Sequence, residues 1–296
     1  MNQRQLGPIV GATLLCSNIN KVSHAYRSGL GYSLVSSGIL DAAQIECWNT
    51  PKLVNSNTQV LASADGQAWL RLVEDPKSKA HKPLKTQGWM ALETNVGDVD
   101  ELRKDIDTTQ FEIIGEPAYL QVSDAIKAMQ TIGPANEVSY MTQVDRPVPP
   151  FELPMTTAKT SGLFIPVLCT PDRDASLAFY QDINQTKEGL KFETKVTVLN
   201  RAWQKDIAHQ YKVATLQLNG KCLFEIDQVP QAQVIINNSG SLPSGIAMVT
   251  CLVDNIDDVA KRFTIPVVTT DNEYYPGKKI ILLKGIAGEW IELVGH

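Results

Sequence analysis

The stretch "LFIPVLCTPDRDASLAFYQDINQTKEGL" (163–190) decides how the chain is read. An apolar run ends at Cys169, a polar segment carrying Asp172 follows, and apolar residues then recur at helical spacing through Tyr180 and Ile183. That order predicts a buried strand, a capped turn and an amphipathic helix. The same order occurs in "IVGATLLCSNINKVSHAYRSGLG" (9–31), where Cys16 and Tyr26 stand at the places of Cys169 and Tyr180. Two more copies are "MALETNVGDVDELRKDI" (90–106) and "AMVTCLVDNIDDVAKRF" (247–263). Asp98 and Asn255 hold equivalent places there and are expected to cap the helix that follows.

After each helix come short alternating segments: "YSLVSSG" (32–38), "TQVLASADGQAWLRLVE" (58–74), "KFETKVTVLN" (191–200), "KVATLQLNGKCLFEIDQ" (212–228) and "KKIILLKGIAGEWIELVG" (278–295). Asp65-Gly66, Asn219-Gly220 and Ala287-Gly288 mark hairpins. The unit is a strand, a helix and about three strands, repeated four times. The second copy is the least regular, and 117–144 resists division into strands. The proline-rich stretch over 146–160 reads as a linker between an N-terminal domain (1–145) and a C-terminal domain (161–296), each of two βαβββ modules. The fold class is therefore α+β. Segments 39–59 and 200–212 interrupt modules 1 and 3 with short helical insertions that carry Trp48 and Trp203, and each is expected to fold over the mouth of its module.

With 296 residues, 43% of them hydrophobic, the chain has material for two ordinary cores. A net charge of −5 without any basic run argues against nucleic acid or an anionic membrane as partner. No window is apolar enough to span a membrane, and the start lacks the pattern of a signal peptide, so a cytoplasmic protein is expected. The five cysteines (Cys16, Cys47, Cys169, Cys222, Cys251) are scattered and odd in number, which predicts free thiols.

The repeated unit, with "DRDASLAFY" (172–180) in its helix and "GEWIELV" (288–294) at its end, resembles the vicinal oxygen chelate superfamily, which includes glyoxalase I, bleomycin-resistance proteins, fosfomycin-resistance enzymes and the extradiol dioxygenases. The resemblance covers nearly the whole chain and implies two cup-shaped mixed sheets, each made from a pair of modules. It also implies metal ligands on the first strand of a module, usually histidine, and on its last strand, usually glutamate. Counted from the capping turn, those positions are Gly11, Ala91, Ile165 and Met248, with Arg71, Ser139, Glu225 and Glu292 on the last strands. None of the first four is histidine. The histidines are His24, His81, His209 and His296, none on a strand aimed into a cup. No cofactor is therefore expected; the alternative is a divalent iron, manganese or zinc ion held by Glu292, Glu225 and His209.

Glu292 raises a question of its own. It lies among apolar neighbours on the last strand, where an unpaired carboxylate would cost several kcal/mol, so it needs a partner. If modules 3 and 4 share a cup, Glu225 and Glu292 face each other as a catalytic acid–base pair. Arg71, at the matching place in "WLRLV" (69–73), is expected to clamp an anion in the other cup, or else to pair with Glu93 or Glu74. Trp203, Tyr211, Met248 and Trp290 are the further ligand-binding candidates, and Trp48, Tyr274 and Tyr275 are aromatic residues near the openings. Three functions fit: a metal-independent lyase or isomerase for a small apolar or aromatic carbonyl compound; a non-catalytic binding protein of the bleomycin-resistance type; and a ring-cleaving dioxygenase with displaced ligands. The partner is a small molecule in each case, and an exposed sheet edge could support a homodimer.

Overall fold

The computed structural model describes residues 4–79, 81–121, 123–235, 239–272 and 275–296. Module 1 comprises β1 (Leu6–Cys16), α1 (Ile19–Leu30), β2 (Ser33–Ile39), α2 (Ala42–Trp48), β3 (Asn57–Ala62) and β4 (Ala68–Glu74). Module 2 comprises β5 (Gly88–Asn95), α3 (Val99–Asp105), β6 (Glu112–Leu120), β7 (Ser123–Ile132) and β8 (Val138–Val144). Module 3 comprises β9 (Leu163–Thr170), α4 (Arg173–Asn184), β10 (Leu190–Thr194), α5 (Thr197–Ala202), β11 (Tyr211–Gln217) and β12 (Leu223–Gln228). Module 4 comprises β13 (Gly245–Val253), α6 (Ile256–Phe263), β14 (Val268–Thr270), β15 (Lys278–Lys284) and β16 (Trp290–Gly295).

The four helices that follow first strands begin in one way. Asn18, Asp98, Asp172 and Asn255 each accept hydrogen bonds from backbone N–H groups of the first turn. Such a cap contributes about 1 kcal/mol and fixes where the chain turns away from the sheet. The expected hairpins form at Gly66, Gly220 and Gly288, all at positive φ. One expected strand is cut short: in 191–200 only the start is extended, and Thr197–Ala202 turns into α5. All five cysteines are free. Among the described residues no helix is long and apolar enough to cross a membrane.

Two eight-stranded mixed sheets result, but they do not follow the halves of the chain. One runs β14-β15-β16-β13-β1-β4-β3-β2 and joins module 4 to module 1; the other runs β10-β11-β12-β9-β5-β8-β7-β6 and joins module 3 to module 2. The seams are the antiparallel pairs β1–β13 and β5–β9. The expected division at 146–160 is thus corrected, since residues 1–145 and 161–296 each supply half of both sheets. All four first strands are buried along most of their length and need a neighbour on each edge. Their composition demands such a neighbour without saying which module supplies it.

Within each half, the two modules are tied to one another through a helix. The Tyr26 hydroxyl of α1 donates to Glu137 Oε1 of module 2 at 2.8 Å, and the Tyr180 hydroxyl of α4 donates to Glu289 Oε1 of module 4 at 2.7 Å. The second oxygen of each glutamate accepts a backbone N–H, from Ala135 or Ala287. A side chain at Gly133 or Gly285 would collide with these carboxylates. Trp89 Nε1 of β5 donates to the Trp290 carbonyl of β16 at 2.7 Å, linking the two sheets directly.

Candidate functional site

Register places the four residues that face into each cup. Thr13 stands beside Arg71 and Thr250 beside Glu292 in the sheet of modules 1 and 4. Glu93 stands beside Tyr140 and Val167 beside Glu225 in the sheet of modules 2 and 3. Thr13, Glu93, Val167 and Thr250 each lie five residues before the helix cap of their module, so the first-strand positions counted from sequence (Gly11, Ala91, Ile165, Met248) are two residues too early. Ser139 likewise gives way to Tyr140.

The cup of modules 1 and 4 is closed. Arg71 Nη2 and Glu292 Oε2 form an ion pair at 2.9 Å, with Glu292 fully buried. Arg71 Nε donates to Thr13 Oγ1 at 2.9 Å, and the Thr250 hydroxyl donates to Glu292 Oε2 at 3.0 Å. Trp48, 1% exposed at the end of α2, caps the pair: its Nε1 donates to Glu292 Oε1 at 2.8 Å, and its ring lies 4.8 Å from the Arg71 guanidinium carbon. Around it Leu15, Leu53, Val73, Leu242, Met248 and Trp290 form a small core of their own. Module 1's insertion therefore folds over its cup as expected and fills it. Arg71 is not an anion clamp, nor does it pair with Glu93 or Glu74; its partner is Glu292. Met248 and Trp290 belong to the sealed core beneath α2.

Glu225 lies in the other sheet, so the expected Glu225–Glu292 acid–base pair does not form. On β12, Phe224 packs against Tyr180 of α4 with ring centroids 4.8 Å apart. By strand alternation Glu225 and Asp227 point to the opposite, concave face. Glu93 enters the same space from β5 and accepts a hydrogen bond from Thr142 Oγ1 at 2.7 Å. Burial and then the charge of Glu225 push the Glu93 carboxyl up to about 8. Burial pushes Glu225 up to about 7, and burial with the charges of Glu225 and Glu93 pushes Asp227 well above the carboxylate range. Among the described residues none of the three has an ion-pair partner. Both oxygens of Asp227, which is 0% exposed, lack any hydrogen-bond partner, as do the hydroxyls of Tyr140 (8% exposed) and Tyr211 (3%). Tyr140 stands near enough for all three carboxylates to raise its pKa further, after burial. Glu225 is half-buried, so the cluster meets solvent there.

The remaining candidates line the rim. Trp203 is half-buried after α5, with Nε1 donating to the Leu84 carbonyl at 3.0 Å. Arg201 of α5 donates to the Ile114 carbonyl on β6, so this insertion ties together the two outer strands of the sheet. His209 is exposed, its ring edge-on to Tyr211 at 4.8 Å. Tyr275 lies in a turn far along the chain from this cup, and Tyr274 lies outside the described residues. Sequence reading missed Asp227 and Tyr140, and took Glu93 only for a partner of Arg71. The available signal was "FEID" (224–227), in which two acids alternate with core residues on a strand expected to be covered on both sides.

Neither cup fits the metal that the fold implies. In the first, the Arg71 guanidinium holds the place of a cation beside Glu292. In the second, the register positions are Glu93, Tyr140, Val167 and Glu225, without an imidazole. Among the described residues no three His, Cys, Asp or Glu side chains gather as a metal-binding group.

No protein-family model matches the chain, and no curated protein matches it. Solved structures do. Glyoxalase I from Zea mays superposes with a TM-score of 0.59 at 12% identity, covering 97% of this chain and 92% of that one. A proposed dioxygenase from Bacillus subtilis gives 0.61 at 10% identity, covering 99% and 86%. The cppA protein from Streptococcus pneumoniae gives 0.50 at 14% identity, covering 98% and 100%. The four capped βαβββ units, their two cup-shaped sheets and these superpositions together establish that the chain has the fold of the vicinal oxygen chelate superfamily.

Proposed function

We propose that this protein takes a small carbonyl compound into the cup of modules 2 and 3 and moves a proton on it by carboxylate acid–base chemistry, as an isomerase or lyase. The observation that carries this reading is the set of acids on the concave face of this sheet, buried Glu93 and Asp227 with half-buried Glu225, which have no ion-pair partner among the described residues and stand beside tyrosine hydroxyls with no protein partner. Carboxyls shifted toward neutrality can both give and take a proton at working pH. Glu225, about 7 and open to solvent, is the base that removes a proton from the carbon beside the carbonyl. Glu93, about 8, remains largely protonated at neutral pH and, with Tyr140, donates hydrogen bonds to the developing enolate oxygen. Returning the proton to a different atom completes an isomerisation.

The test is exchange of the α-protons of small aryl ketones in deuterated water, followed by NMR. Wild type should exceed the buffer rate, and Glu225→Gln should lose about 10²–10⁴-fold. Exchange that never exceeds buffer, or that survives Glu225→Gln, sinks the acid–base reading. Binding of the same ketones without exchange supports the sequestering function instead.

A further inference from the structure

We propose that two copies of this chain associate through β2, the β2 strands pairing antiparallel across a twofold axis so that the two sheets of modules 1 and 4 become one. β2 is the outer strand of that sheet, and all of it except half-buried Ser36 is exposed. The Leu40 N–H donates to the Ser56 carbonyl at 2.9 Å, which fixes the alternation along the strand. Gly38 accordingly turns its backbone groups toward β3, while Ser37 and Ile39 turn their N–H and C=O groups outward. Beside these stand the aliphatic side chains of Leu34, Val35 and Ile39, 40%, 54% and 60% exposed. No charged residue occurs from Ser28 to Leu40 or from Leu53 to Ala64, so neither β2 nor β3 carries one.

The other three sheet edges are protected. β14 is three residues long, and β10 carries Lys191 and Glu193. β6 carries Glu112, Glu116 and Pro117, pairs with β7 through three register shifts, and has its Ile114 carbonyl taken by Arg201. Short length, charge, proline and irregular pairing all keep an edge from meeting another strand. β2 is seven residues long, without charge or proline, and its one register shift lies between Leu34 and Ser36, before the outward groups of Ser37 and Ile39. A second copy is the occupant these features select. The partner must bring an extended strand with unpaired outward groups, aliphatic side chains and no charge, and β2 of another copy brings each of them at matching length. Each chain has a net charge of −5, so the uncharged edge is where two copies approach without like charges meeting. Twofold pairing uses up both edges, and the assembly closes at two.

Sedimentation of the full chain at concentrations up to about 100 μM tests this. The wild type should sediment with the mass of two chains. Ile39→Lys sets like charges against each other across the contact and should weaken the dimer by about tenfold or more. Gly38→Lys should do the same, since a side chain there meets no atom of its own chain within 4 Å. Ser37→Pro removes one outward N–H and no bond of the β2–β3 ladder, and should also give the mass of one chain. Glu193→Lys, on the β10 edge, should leave the dimer intact. Unchanged far-UV circular dichroism in these variants separates lost association from lost folding. A wild type with the mass of one chain overturns the proposal, whether its edge then stays in water or takes a strand of an unrelated protein. So does a dimer that survives all three β2 substitutions or that Glu193→Lys dissociates.

Discussion

Glu292 and Asp227 show what one buried carboxylate requires of its surroundings. The need of Glu292 for a partner is readable from its apolar neighbours. The partner is not, because Arg71 lies 221 positions away and meets it only through the β1–β13 seam. Removing one member of such a pair leaves the other charge buried alone, so Arg71→Met should cost about 3–5 kcal/mol in denaturant unfolding. The double variant Arg71→Met with Glu292→Met should recover most of that loss, and a double variant as unstable as the single would refute the pairing as described. The second cup reverses the usual dependence on pH. Glu93 (about 8) and Glu225 (about 7) there, and outside it Glu137 and Glu289 (each about 7) on the Tyr26 and Tyr180 hydroxyls, hold protons that an unfolded glutamate would release near 4.5. The folded state therefore binds more protons than the unfolded one between about pH 4.5 and 8, and stability falls as pH rises through that window. Glu93→Gln should flatten this slope and stabilise the protein at pH 8 by an amount on the order of 1–3 kcal/mol. Thermal melts of wild type and variant from pH 5 to pH 8 measure both effects.

Elements were legible wherever a strand ends at a cap or a glycine turn, and for that reason the four first strands, their helices and three hairpins are where the sequence places them. Module 2 resisted because β6 and β7 pair with three register shifts and are joined without a glycine or proline turn. The insertions were readable as short helices, yet their opposite consequences were not. In α2 the terminal tryptophan points inward and fills its cup, whereas Trp203 follows α5 and hydrogen-bonds the chain at Leu84, leaving the second cup its opening at Glu225. Trp48→Ala should therefore cost about 3–5 kcal/mol, as for other fully buried large side chains, and leave the Arg71–Glu292 pair open to water. Trp203→Ala, at a half-buried position, should cost less than half as much. Equal losses in chemical unfolding would show that α2 is not the plug of its cup.

At the scale of the whole molecule, repetition told us what the units are and left open which of them pair. A buried first strand satisfies its edge groups against any equivalent strand, and module 4 serves module 1 as well as module 2 could. The outcome gives each half of the chain two unfinished sheets. Residues 1–145 alone would carry β1 and β5 with the seam edge of each uncovered, and would expose Trp89, which packs against Tyr180 of α4 and donates to the Trp290 carbonyl of module 4. Uncovered apolar edges of this kind drive association with other chains. Within one half the Tyr26–Glu137 contact would survive, but it joins a helix to a hairpin and supplies no strand neighbour. Neither half should therefore fold by itself to a monomer with a cooperative transition, while the two halves expressed together should assemble into one complex with the melting behaviour of the intact chain, weakened by the lost tether. A cut within 146–160 in the folded protein should likewise leave both pieces associated during gel filtration. Size-exclusion chromatography with light scattering distinguishes these outcomes. Two stable monomeric halves would mean that the seams β1–β13 and β5–β9 are dispensable, and the account of how both cups are built would be wrong.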